Sequence, residues 1–150
     1  MIARKPIAIV VMAVAMLAAG LFAGSAQASA IGSEPFGGGT VPTPWGEYPV
    51  PRGELDHGVT GTGLYVESQA AGFTAVPPLC NWTMTYELRD LNHGVVDSAT
   101  INPGSRCDSN TNVQGVVWNK NTVPGFACAV LKVGGSTIAE QCHQVAGEPQ

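Results

Sequence analysis

Apolar and polar residues alternate without a break from position 80 to position 89. Cys80, Trp82, Met84, Tyr86 and Leu88 share one parity; Asn81, Thr83, Thr85, Glu87 and Arg89 share the other. A repeat of two places these sets on opposite faces of a β-strand, one toward a core and one toward water. Asp90-Leu91-Asn92-His93-Gly94 is turn chemistry, and Val95–Ile101 returns as a second strand. Pairing Asp90 with Val95 sets Met84 against Ile101, Tyr86 against Ala99, Thr85 against Thr100 and Glu87 against Ser98. Apolar then meets apolar and polar meets polar, whereas a slip of one residue would spoil both faces. Asp97 opposite Leu88 is the one misfit.

Further strands are predicted at 63–68, 113–118, 126–133 and 137–143, with Gly134-Gly135 as a hairpin signal. No stretch after residue 30 has a helical period. About six strands separated by Gly, Pro and Asn turns predict an all-β fold. The expected architecture is an antiparallel β-sandwich, immunoglobulin-like or a small barrel.

Two segments break the alternation. Residues 1–30 have Arg4 and Lys5, then an apolar run from Ile7 to Phe22, then Ala26-Gln27-Ala28 and Ala28-Ser29-Ala30. That is the layout of a secretory signal peptide. Cleavage is expected after Ala30, with Ala28 second, and no membrane span is expected after cleavage. Residues 31–58 hold five prolines and the run Gly37-Gly38-Gly39. They read as an extended Gly/Pro-rich arm before a domain at 59–147 and a tail at 148–150. Trp45 and Tyr48 lie in the arm. They either latch it to the domain or present amphipathic rings to a partner.

Export changes the reading of the cysteines. In an oxidising compartment Cys80, Cys107, Cys128 and Cys142 are expected as two disulfides. Four cysteines allow three pairings. The hairpin registers place Cys107 two residues beyond the partner position of Cys80. A turn at Gly134–Ser136 sets Cys128 opposite Cys142. Cys80–Cys107 with Cys128–Cys142 is therefore the preferred pairing, and an immunoglobulin-style Cys80–Cys128 bridge ranks second. Zinc needs closely spaced ligand pairs, which are absent, so no metal or cofactor is expected.

Beyond residue 30, five basic and eleven acidic residues give a net charge of −6. Such a surface argues against nucleic acid and anionic membranes as partners. Asp108-Ser109-Asn110-Thr111-Asn112 opens like a calcium loop. Val113 stands where an EF-hand needs Gly, and Asn119 where it needs Glu. Asn81-Trp82-Thr83 fits a glycosylation sequon. His57, His93 and His143 are the only histidines, and no G-x-S-x-G elbow accompanies them.

The Ala-rich leader followed by a Gly/Thr/Asn-rich four-Cys β domain resembles small secreted proteins of high-GC Gram-positive bacteria. Among these, chromoprotein-type antibiotic carriers are two-disulfide β-sandwiches whose bridges close short loops. Secreted subtilisin inhibitors have two disulfides and a Cys-Pro-Met loop that is missing here. The resemblance lies in composition and layout along the whole chain. The functional expectation is a secreted or envelope-associated binding module without enzymatic activity. Its partner is an envelope component or extracellular protein, through Trp45 and Tyr48. The alternative is an inhibitor of an extracellular hydrolase, acting through the loop Asn102–Asn112.

Overall fold

The computed structural model describes residues 29–112 and 115–146. Residues 1–28 of the 1–30 leader and the tail at 148–150 lie outside the described residues. The elements are β1 (Ala30–Phe36), β2 (Thr40–Thr43), β3 (Gly46–Pro49), β4 (Arg52–Thr62), β5 (Tyr65–Cys80) and β6 (Trp82–Asp90). They continue with β7 (Val95–Ile101), β8 (Cys107–Asn112), β9 (Val116–Asn121), β10 (Gly125–Val133) and β11 (Ser136–Val145). One antiparallel sheet runs β1-β4-β5-β8, with β9 continuing the β8 edge along β5. The second runs β11-β10-β6-β7, and β2-β3 form a separate ribbon. The expected all-β antiparallel fold is what forms, with eleven strands where the pattern indicated about six.

The two sheets face each other across one apolar layer. Leu55, Phe73 and Leu79 from the first meet Trp82, Met84, Tyr86, Leu131 and Val133 from the second. Phe73 meets Trp82 edge to face, with centroids 5.1 Å apart. A smaller cluster of Val59, Val66, Leu88, Ala127 and Val145 closes one end. The Tyr86 hydroxyl crosses the layer and accepts the Ala71 amide at 2.8 Å. Burial pushes the Tyr86 phenol up to about 12.

The β6–β7 register is the expected one from Met84–Ile101 to Leu88–Asp97. Nearer the turn a bulge shifts it, and Arg89 rather than Asp90 pairs with Val95. The Asp97 misfit is resolved at the sheet edge. One carboxylate oxygen accepts the Ser98 amide, and the other pairs with Lys120 of β9 on the facing sheet. An inward-pointing charge of this kind also protects an edge strand. At the last hairpin the turn is two residues, Gly134-Gly135. A bulge after Leu131 then restores the Cys128–Cys142 pair.

Both preferred disulfides form, Cys80–Cys107 and Cys128–Cys142. The first does so for a different structural reason. Asn81 has φ 54°, which ends β5 at Cys80 and starts β6 at Trp82 on the other sheet. Cys80 therefore pairs with Cys107 across β5–β8, not across an extended β6–β7 hairpin.

The free-arm reading of residues 31–58 is corrected. This stretch supplies β1, the β2–β3 ribbon and much of β4, so the folded unit begins at Ala30 rather than at residue 59. Leu55, His57 and Val59 of β4 point inward and are buried. The prolines fit because β1 is an edge strand and β2–β3 an isolated ribbon, where missing amide donors are tolerated. Gly53 reflects close packing rather than looseness. A Cβ there would lie 2.1 Å from the Thr74 oxygen and 2.4 Å from the Phe36 ring.

Candidate functional site

The sheet β1-β4-β5-β8 has an open groove on its solvent side, with a cavity volume of about 510 Å³. It is lined by Ile31, residues 56–58 of β4, 70–74 of β5 and 110–112 of β8. The ladder explains the grouping: Ile31 pairs with Gly58, Gly58 with Ala70, Asp56 with Gly72, and Gly72 with Asn112. Three adjacent small residues, Gly58, Ala70 and Gly72, leave the floor without long side chains. Asp56, Thr74, Asn110 and Asn112 are exposed around it, and Ile31 stands at one rim.

Below this sheet, His57 belongs to a polar cluster at the corner between β4 and β11. Its ring stacks on His143 with centroids 5.0 Å apart, and His143 Nε2 donates to the His57 carbonyl at 3.0 Å. The Gln69 amide satisfies three partners in one orientation. Its nitrogen donates to His57 Nε2 (3.0 Å) and the Cys128 carbonyl (3.2 Å), and its oxygen accepts from Trp118 Nε1 (3.0 Å). That network assigns the His57 proton to Nδ1, a buried atom that faces the Gln141 backbone. Burial, reinforced by nearby His143, holds His57 down to about 4. Both Nε2 atoms are committed to structural contacts, leaving neither poised to activate a nucleophile.

The sequence-selected aromatics separate. Trp45 sits at the tip of the β2–β3 ribbon and is 57 % exposed. Tyr48 turns onto the core, where its hydroxyl accepts the Cys80 amide at 3.2 Å. The Ser136 hydroxyl, hydrogen-bonded to the Pro42 carbonyl, holds the other side of the ribbon. Thr43 and Pro44 also crowd Gly134, where a Cβ would lie 2.8 Å from Thr43. Trp45 is thus displayed on a braced support, while Tyr48 is the latch.

The other candidates are absorbed by the fold. Asp108 accepts Trp82 Nε1 at 2.7 Å and Arg106 Nε at 2.8 Å, so it does not begin a calcium loop. In the candidate inhibitor loop, Asp108, Asn110, Thr111 and Asn112 are paired within the β5–β8 ladder, which leaves only residues 102–106 as loop. Asn81 is exposed and donates its amide to the Arg106 carbonyl. His93 stacks on Phe126 at 4.9 Å. Glu140 lies within reach of Cys128 and Cys142, but both sulfurs are in the disulfide. Arg89 bridges Glu87 and Glu140 over that face.

Sequence reasoning missed the groove residues Asp56, Gly58, Ala70 and Gly72, and met Asn110 only as part of a calcium-like run. The one available signal was the spacing of Asn110 and Asn112, which places their side chains on one strand face, whereas a register shift beyond Asn110 sets Asp108 opposite core-facing Leu79. Two disulfides in a fold of this size are consistent with an extracellular protein. No protein-family model matches the chain, and no curated protein or solved structure shows significant similarity to it.

Proposed function

We propose that the protein is a secreted, non-enzymatic binding module that works outside the cell or at its envelope, with the Trp45 hairpin as its recognition element. The observation that carries this reading is the exposure of Trp45 at the tip of a ribbon braced at both ends. A tryptophan held this way gives large contact area while losing little side-chain entropy on binding, as in interface hot spots. The signal-like leader and the two disulfides support an exported destination. The structural commitments of His57 and His143 support binding without turnover.

The test is capture of envelope material by immobilised protein, wild type against Trp45→Ala. Saturable capture by wild type, lost in a variant of unchanged melting temperature, is expected. Equal capture by both proteins removes Trp45 from the account. Turnover of peptide, ester or glycoside substrates would contradict the non-enzymatic reading.

A further inference from the structure

We propose that the groove across β1, β4, β5 and β8 is a binding site for an uncharged oligosaccharide, distinct from the Trp45 tip. Four features point to that chemistry.

The first is the floor. Glycine within a strand is unfavourable compared with a residue that has a side chain. At Gly58 the fold does not demand it. A Cβ there would meet Ile31 Cγ1 at 3.7 Å and the Ala30 oxygen at 3.8 Å, both ordinary contacts. At Gly72 the fold does demand it, because a Cβ would lie 2.5 Å from the Thr111 oxygen. Internal packing therefore accounts for Gly72 and leaves Gly58 unexplained. Its effect is to keep the groove open beside Ala70.

The second is the lining. Asp56, Thr74 and Asn110 are exposed and offer carboxylate, hydroxyl and amide groups. Among the described residues their side chains hydrogen-bond to no other group. An amide both donates and accepts and a carboxylate accepts, so together they can serve the hydroxyls of a sugar. Ile31, 90 % exposed at the rim, offers an apolar wall for the C–H face of a sugar ring.

The third is charge. The lining has one carboxylate and no lysine or arginine, so phosphate and other anions are disfavoured.

The fourth is the direction of the groove. An extended peptide binds by pairing with a free strand edge. Here the floor crosses β4 and β5, each of which already has a ladder on both sides. Recognition must come from side chains. The cavity volume of about 510 Å³ suits a ligand of about two or three sugar rings, partly exposed to solvent.

The test is a ¹⁵N-HSQC titration of the secreted protein with cellotriose, chitotriose and maltotriose. At least one is expected to give saturable shifts confined to residues 56–58, 70–74 and 110–112. Gly58→Val, whose Cβ makes only ordinary contacts and which gains strand propensity, should keep the melting temperature and weaken binding at least tenfold. Asn110→Ala, a surface change, should also weaken it, and Trp45→Ala should not. The proposal is overturned if no trisaccharide shifts these amides at up to about 10 mM. It is equally overturned if the shifts map elsewhere, if Gly58→Val binds as wild type, or if phosphate or a lysine tripeptide produces the same shifts. Because Trp45 lies outside the groove, these outcomes leave the hairpin reading to its own test.

Discussion

His143 of β11 stacks on His57 of β4, and its Nε2 donates to the His57 carbonyl, so one side chain ties the two sheets together at a corner with no backbone ladder. The seam depends on His57 remaining neutral. An unfolded histidine takes up its proton near pH 6.5, whereas the folded one resists until about 4. Between those values the unfolded state binds more protons, so stability falls as pH falls. The gap corresponds to about 3 kcal/mol, fully present above pH 6.5 and lost by about pH 4. Urea midpoints at pH 7, 6, 5 and 4.5 check this. His57→Gln should flatten the slope between pH 6.5 and 5, above the carboxylate range. An unchanged slope would place the acid sensitivity elsewhere.

Residues 31–58 are structural, so deleting 31–55 is expected to unfold the protein. The deletion removes β1 and the buried side chains of Phe36 and Leu55. As a milder probe, Leu55→Ala should cost about 2–5 kcal/mol. Trp82→Ala should cost about 3–5 kcal/mol, since it also abandons the bond to Asp108. Thermal melts decide both. Shifts of only a degree or two would mean that these residues are not core.

Two glycines of β4 should respond in opposite directions. Gly53→Ala forces a Cβ to 2.1 Å from the Thr74 oxygen and into the Phe36 ring, so it should be clearly destabilising. Gly58→Ala makes only ordinary contacts at 3.7–4.0 Å and should be neutral or stabilising by about 0.5–1 kcal/mol. Equal effects in denaturant titrations would show that the β4 packing has been misread.

The β6–β7 register was readable in the sequence because Met84, Tyr86 and Leu88 alternate cleanly with polar neighbours. The bulge near Arg89 was not, since Val95 and Val96 are both apolar and either could face the core. The long β5 was seen only at its start, because Ala70-Ala71-Gly72 and Pro77-Pro78 interrupt the alternation. In β4, Leu55, His57 and Val59 do alternate, but a histidine at an inward position and glycines around it disguise the strand. The groove was beyond reach. It is made of missing side chains on β4 and β5 beside asparagines of the distant β8, and depends on the β4–β5–β8 register.

The disulfides should differ in accessibility. Cys107 is exposed, while Cys128 is fully buried beneath the Arg89–Glu140 pair. Under native conditions a mild reductant should open Cys80–Cys107 first. Differential alkylation with peptide mapping reads the order, and simultaneous opening would point to global unfolding instead. Each bridge is expected to contribute about 3–4 kcal/mol on a chain-entropy view.

Under the proposed function, Trp45 is the surface through which the protein would engage a partner. Acrylamide quenching tests it most directly, because Trp82 is buried and Trp118 half-buried, leaving Trp45 as the accessible indole. Strong quenching of the free protein is expected, abolished by Trp45→Phe, with protection of that fluorescence when the protein binds envelope material. Full binding with Trp45 still quenched as in the free protein would contradict it.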